Sequence, residues 1–77
     1  MAVKGKTYRV KSDTFDIFKS GDLVVALEND SLPWCVKKNE YTEEDKRLSD
    51  NIDDISATRM PDNWNILADE ELEEVAE

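Results

Sequence analysis

The chain has 77 residues with 10 basic and 19 acidic side chains, a net charge of −9, one cysteine and no histidine. A lone cysteine excludes an intrachain disulfide, and without histidine it cannot build a zinc site of the usual Cys and His type. No apolar run approaches the roughly 18 residues that span a bilayer, and the N-terminus lacks the apolar core of a signal peptide. We expect one small cytoplasmic domain, and a homodimer that enlarges the core of so short a chain.

The charge is unevenly distributed along the chain. Residues 1–38 hold seven basic and five acidic side chains, a net charge of +2, whereas residues 39–77 hold three basic and fourteen acidic ones, a net charge of −11. This imbalance predicts a basic partner, and basic surfaces are typical of nucleic-acid-binding proteins. It argues against direct binding to nucleic acid or to an anionic membrane, both of which need clustered Lys and Arg. The alternative is that the carboxylates only keep the protein soluble.

Three short strands are predicted in the first half of the chain, over residues 7–11, 23–27 and 32–37. Tyr8 and Val10 alternate with polar residues, which is typical of a half-buried strand. A turn around Gly21 precedes the apolar run of the second strand, which we expect to be buried on both faces. Pro33 must either begin the third strand or lie in an edge strand, because proline cannot donate a hydrogen bond to a neighbouring strand. Cys35 in this strand is expected to be buried and inert.

Residues 39–54 are predicted to form an acidic helix or an acidic loop. Thr42 can N-cap a helix that runs to Ile55, and Asp45 lies at the capping-box distance from it. Four apolar residues spaced by 7, 4 and 3 would form one stripe of this helix: Tyr41, Leu48, Ile52 and Ile55. Asn51 and the two aspartates at 53 and 54 disfavour a helix, so a long loop is the alternative.

Residues 55–67 are predicted to close the β structure with strands over 55–60 and 64–67. Asp69 can N-cap a last helical turn, with Leu72 facing the core. The glutamates at the end of that turn oppose the helix dipole, so residues 68–77 are expected to be an acidic turn or tail that frays. The predicted fold class is mainly β (α+β), with four or five strands and one or two short helices in a single domain.

No group with obvious catalytic chemistry is present. Without histidine, acid–base catalysis would require another side chain with a shifted pKa. The two glycines form no phosphate-binding loop, and residues 50–54 lack the central glycine and final glutamate of a calcium loop. We therefore predict that the protein is not an enzyme and holds no metal or cofactor. Trp34 and Trp64 are expected to lie in the core, and an exposed one would be an anchor for a protein interface.

The acidic side chains form three clusters whose spacing resembles that of DNA phosphates. Acids three or four residues apart on a helix lie about 5–6 Å apart, and acids two residues apart on a strand lie about 6.6 Å apart. Such a surface would occupy the Lys/Arg face of a DNA-binding protein in a fast, salt-dependent association. The predicted partner-binding residues are Glu43, Glu44 and Asp45, then Asp50, Asp53 and Asp54, and then Asp69, Glu70, Glu71, Glu73 and Glu74.

The Tyr8-Arg9-Val10 strand, the run FKSGDLVVALENDSLPWCV and the later run LADEELEEV together resemble small SH3-like barrel proteins encoded by phages of Gram-positive bacteria. The resemblance covers residues 6–38 and, more weakly, 64–75. It implies an SH3-like or related open barrel whose second strand is opened by a Gly-Asp turn. Residues 39–60 are longer and more acidic than the tight turn usual there, which implies a decorated or open barrel.

In size and charge the chain is also similar to small acidic phage proteins of host takeover, which include a DNA mimic that inhibits the nucleoid protein HU of Bacillus. This resemblance implies a non-enzymatic phage inhibitor, acting as a homodimer on the DNA-binding arms of HU in the host cytoplasm or nucleoid. One alternative is a phage adaptor that binds a host enzyme, such as RNA polymerase or a protease, through Trp34 or through Phe15 and Phe18. Another alternative is a structural phage protein whose acidic residues serve only to keep it soluble.

Overall fold

A five-stranded antiparallel sheet forms the centre of the computed structural model, which describes residues 1–14 and 17–75. Its strands are β1 (Thr7–Val10), β2 (Leu23–Ala26), β3 (Trp34–Lys37), β4 (Asn65–Ile66) and β5 (Leu72–Glu74). Their order across the sheet is β4-β3-β2-β1-β5, so β4 and β5 are its two edges and the sheet is not closed. The predicted mainly-β class is confirmed, and the sheet is consistent with a small open barrel.

Strand β2 is buried on both faces of the sheet, as predicted, except at its first residue, Leu23, which is 40% exposed. Val24 and Ala26 belong to one apolar cluster, whereas Val25 and Leu27 belong to a second. Successive side chains of a strand point to opposite faces, so a short apolar run in a central strand supplies two cores at once. The first cluster also contains Ala2, Tyr8, Val10, Phe18, Cys35, Leu67 and Leu72. The second also contains Val36 and Trp64, with Trp34, Tyr41, Leu48, Ile52, Ile55 and Met60 packed against it.

The α-helix α1 (Glu43–Ser49) begins at the predicted capping box. The Thr42 hydroxyl accepts a hydrogen bond from the Asp45 amide at 3.1 Å, and the Asp45 carboxylate accepts one from the Thr42 amide at 3.0 Å. These two bonds satisfy donors that the first turn of a helix leaves without partners. The helical interpretation of this segment is therefore confirmed at its start.

Helix α1 ends earlier than predicted. It stops at Ser49, and a separate 3-10 turn spans Ile52–Asp54. Residues of the Asn and Asp type favour turns over helix interiors, which explains the early end. The predicted apolar stripe nevertheless packs on the second cluster, because the 3-10 turn returns Ile52 and Ile55 to the side where Leu48 lies.

The predicted strand over residues 55–60 is wrong, because a 3-10 turn spans Ala57–Arg59 instead. Ile55 and Met60 both pack against the second apolar cluster. In a strand, residues five apart point to opposite faces, so only one of the two could reach that cluster. The 3-10 turn brings both side chains to the same side.

The predicted last helical turn is present only at its start, and its predicted cap and its extension to Val75 are wrong. A 3-10 turn spans Asp69–Glu71, no side chain caps it, and the next three residues form β5. Strand β5 pairs with β1, where Glu73 lies opposite Arg9 and Leu72 lies opposite Val10. Opposite charges across two strands stabilise their pairing, and Leu72 is buried in the first cluster. The tail to Glu74 is thus an edge strand.

Candidate partner-binding surface

The N-terminal segment connects two of the predicted acidic clusters. The Lys4 ammonium pairs with Asp50 just beyond α1, and the Lys6 ammonium lies 3.0 Å from Glu74 on β5. Two residues of chain span at most about 7 Å, each lysine side chain adds about 6 Å, and the two ion pairs add 2.5 and 3.0 Å, so these carboxylates lie within roughly 25 Å of each other. The fold therefore places the acids after α1 and the acids of β5 on either side of one short segment.

Most carboxylates of the three clusters are exposed, and several have countercharges. Glu44 pairs with Arg47, Glu73 with Arg9, Asp50 with Lys4, Glu74 with Lys6, and Asp69 with the amino group of Met1. Glu71 instead accepts a hydrogen bond from the Ser12 hydroxyl. Among the residues that the structure describes, the exposed cluster members without an ion pair are Glu43, Asp53, Asp54 and Glu70.

Asp45 does not belong to this surface. Its side chain is only 7% exposed, and its two carboxylate oxygens accept hydrogen bonds from the indole N–H of Trp64 at 3.1 Å and from the amide of Thr42 at 3.0 Å. A carboxylate enclosed in this way cannot meet the charge of a partner. We therefore remove Asp45 from the predicted partner-binding residues, and its capping-box position was the sequence signal for its structural role.

The ion pairs keep two of the surface carboxylates in their charged form. A hydrogen bond from Arg47, together with its charge, lowers the pKa of Glu44, and a hydrogen bond from Lys4, together with its charge, lowers the pKa of Asp50. Both carboxylates are exposed. They therefore stay ionised at neutral pH and remain accessible to a partner.

The acidic half of the chain keeps most of its charge after these pairs form. Lys4, Lys6, Arg9 and the amino group of Met1 bring four countercharges from residues 1–38 to residues 39–77. They reduce the charge of −11 on that half to −7, so most of its negative charge remains. The charge asymmetry seen in the sequence is thus also present on the folded molecule.

The aromatic residues are poor candidates for interface anchors. Trp64 lies in the core, as predicted, and Trp34 is half-buried against the second cluster. Phe18 is completely buried, so the predicted adaptor contact through this residue is wrong. Phe15, the other residue named for that contact, lies outside the described residues.

Exposed aliphatic side chains were missed by the sequence reasoning. Those on the described surface are Met1, Val3, Leu23, Leu32 and Ile66. Leu32 and Ile66 line the same cleft of about 500 Å³, next to β4. Leu23 lines another cleft of about 400 Å³ with Lys37 and Lys38. No periodic pattern marks Leu32, Leu23 or Ile66, because Leu32 lies in a bend and the other two lie at the ends of short strands.

Cys35 is buried and has no features of a reactive thiol. Burial, aided by the nearby Glu28 carboxylate, raises the pKa of the Cys35 thiol to about 12. A thiol with this pKa is almost entirely protonated at neutral pH and is a poor nucleophile. Within the described part of the chain, no three Cys, Asp or Glu side chains are arranged to hold a metal ion. No helix among those residues is long and apolar enough to cross a membrane.

Comparisons of the chain with protein-family models, curated proteins and solved structures gave no match. The functional interpretation therefore depends on the residues and geometry described above.

Proposed function

We propose that this protein is a non-enzymatic inhibitor that mimics the charge of DNA and binds the basic DNA-binding surface of another protein. The observation that carries the proposal is the charge of −7 that residues 39–77 keep after their four ion pairs to the first half are counted. A basic protein that binds this surface would release the same kind of counterions that it releases on DNA. The two ligands would therefore compete for one site.

The exposed acids that follow α1 support this mechanism. Asp50 directly follows α1, and Asp53 and Asp54 lie in the next 3-10 turn. Because α1 ends at Ser49, the spacing of about 5–6 Å expected on a continuous helix does not apply to these acids, and their closeness along the chain is what concentrates the negative charge. Glu73 and Glu74 extend the negative surface along β5. Because the charges are exposed, association should be fast and should weaken as salt screens them.

The resemblance to small acidic phage proteins suggests the partner to test first. It gives the host nucleoid protein HU as that partner, and the cytoplasm or nucleoid of an infected bacterium as the place of action. A homodimer, which the same resemblance implies, would present two acidic surfaces to a symmetric basic partner. The remaining adaptor hypothesis needs an apolar anchor, and such a contact would be less sensitive to salt.

A competition experiment tests the proposal. A fluorescent duplex of about 20 base pairs is bound to HU at about 50 mM salt, and the acidic protein is titrated in while anisotropy is recorded. We expect displacement of the duplex, and loss of that displacement at about 200 mM salt. Failure to displace the duplex at low salt, with the protein folded, would remove HU as the partner.

Matched charge reversals separate a defined surface from net charge alone. Asp53→Lys and Asp62→Lys make the same change in net charge at exposed positions without an ion pair among the described residues. We expect Asp53→Lys to weaken displacement about tenfold and Asp62→Lys to weaken it less than about threefold. Equal losses in the two variants would show that only the overall charge matters, and would contradict a binding site at residues 50–54.

A further inference from the structure

We propose that the cleft beside β4 binds an extended basic segment of the partner and receives one apolar side chain from it. This β4 cleft is lined by Leu32, Ile66, Leu67 and Ala68, together with Thr14 and Glu71. This inference rests on the proposed function, from which it takes the basic character of the partner. It adds an apolar anchor that neither composition nor charge distribution predicts.

The β4 cleft contains two of the exposed aliphatic side chains of the described surface. Leu32 is 55% exposed and Ile66 is 38% exposed, and both line this cleft. The cleft volume of about 500 Å³ is ample for one large side chain of a partner. Exposed apolar side chains grouped around a concavity are typical of protein interaction sites and binding grooves.

The main chain of β4 offers a hydrogen-bonding group beside the cleft. Leu67 donates a backbone hydrogen bond to the Pro33 carbonyl at 3.1 Å, so the preceding residue, Ile66, forms a non-hydrogen-bonded pair with Trp34. The amide and carbonyl of Ile66 therefore point away from β3, toward the free edge. The amide already donates to the Asn65 side chain at 2.8 Å, which leaves the carbonyl as the acceptor for an extended segment.

The cleft also contains a polar group that has no partner among the described residues. The Thr14 hydroxyl oxygen is buried and has no hydrogen bond among the residues that the structure describes. Nearly all buried polar side-chain atoms in proteins have a hydrogen-bond partner, so this hydroxyl is unusual. A backbone or side-chain group of a bound segment would give the Thr14 hydroxyl a hydrogen-bond partner.

Charge determines which segment fits. Glu71 lines the cleft, Glu70 beside it is exposed, and Asp69 precedes them in the same 3-10 turn. A second copy of the chain would bring another net charge of −9 to these acids. A segment with Lys or Arg on both sides of an apolar residue complements both the apolar lining and the acids.

Two synthetic peptides test this inference. One has a central leucine with three lysines on each side, and the other has serine in place of the leucine, so both have the same charge. Each is titrated into the 15N-labelled protein and followed by NMR. We expect the leucine peptide to bind about tenfold more tightly, because one large aliphatic side chain becomes buried. Its largest amide shifts should fall at residues 32 and 66–68.

Matched variants locate the contact. Leu32→Ser combined with Ile66→Thr should reduce the affinity of the leucine peptide to that of the serine peptide. Leu23→Ser removes a leucine that is 40% exposed in the other cleft and should leave the preference for leucine unchanged. The shift map of the unaltered protein provides a result that does not depend on whether the double variant folds.

The outcomes separate this inference from the proposed function. Equal, salt-dependent binding of the two peptides would overturn the β4 cleft as an anchor site and leave the acidic surface standing. If the leucine peptide binds more tightly and its affinity does not fall when the salt is raised to about 200 mM, its lysines contribute nothing. That result would overturn the proposal that the occupant is basic. Absence of binding by either peptide would overturn both proposals. If the amide shifts of residues 32 and 66–68 instead change with protein concentration in the absence of peptide, the cleft binds a second copy of the chain. That result would overturn the proposal that it binds a basic segment.

Discussion

The indole N–H of Trp64 donates a hydrogen bond of 3.1 Å to the carboxylate of Asp45, and both side chains are buried. Asp45 also accepts a hydrogen bond from the Thr42 amide at the start of α1. One carboxylate thus joins the first turn of the helix to the residue that precedes β4. This bond fixes α1 over the second apolar cluster and so determines where the acids that follow the helix are presented.

We expect Asp45→Ala to lower the free energy of unfolding by about 2–4 kcal/mol, because it leaves two donors without an acceptor and removes half of the capping box. Urea unfolding followed by tryptophan fluorescence measures the change. Glu43→Ala, at an exposed position of the same helix, is the control and should change stability by less than about 0.5 kcal/mol. Equal losses in the two variants would mean that the Trp64 contact contributes nothing specific.

The ion pair between Lys4 and Asp50 should make stability depend on pH in the acidic range. The pKa of Asp50 is lowered from its ordinary value of 3.8 by the hydrogen bond and charge of Lys4. A carboxylate with a lowered pKa binds protons less readily in the folded state, so its contribution is present above the unfolded value and is lost as pH falls through the folded value.

The corresponding experiment compares wild type with Asp50→Asn by urea unfolding at about pH 6 and about pH 3. We expect wild type to be the more stable at the higher pH, and the difference to shrink at the lower pH. Asp53→Asn is the control, since Asp53 has no ion pair among the described residues. A difference for Asp50→Asn that stays constant with pH would show that the ion pair is not its cause.

Cys35 should be unreactive in the folded protein. Because burial raises the pKa of its thiol to about 12, both the thiolate fraction and the access of reagent are low. We expect a thiol reagent such as DTNB, at about pH 8, to label Cys35 only after unfolding, and the rate to rise steeply when denaturant is added. Rapid labelling without denaturant would show that β3 opens readily or that its inner face is accessible.

Local signals in the sequence were sufficient for much of the fold. The apolar run of β2 predicted its burial on both faces, and the Thr42 capping box predicted the start of α1. The turn before β2 was predicted correctly, and Gly21 there has a φ of 93°, in the left-handed region that favours glycine. Each of these features depends on residues close together in the chain.

Features that depend on distant residues were not predictable in the same way. The sequence of β5 is rich in glutamate and favours a helix, but its strand is paired with β1, where Arg9 and Glu73 are 64 residues apart in the chain. Asp45 was assigned to the acidic surface because the donor that buries it, Trp64, lies 19 residues away. The acidic character of the site was therefore clear from composition, whereas the choice of the acids that reach a partner required the fold.

Lys4 gives a direct test of the acidic surface, because it lies among the acids and neutralises one of them. The Lys4 ammonium pairs with Asp50, so Lys4→Gln should expose one more uncompensated carboxylate to a basic partner. We expect this variant to bind HU, or the lysine-rich peptides above, about two- to threefold more tightly at low salt, with the gain lost as salt screens the charge. Lys38→Gln makes the same change in net charge at an exposed position in the cleft that contains Lys37, and should leave affinity nearly unchanged. Equal gains from both variants would indicate that overall charge governs binding. A loss of affinity in Lys4→Gln would instead indicate that this lysine holds Asp50 in the geometry that the partner requires.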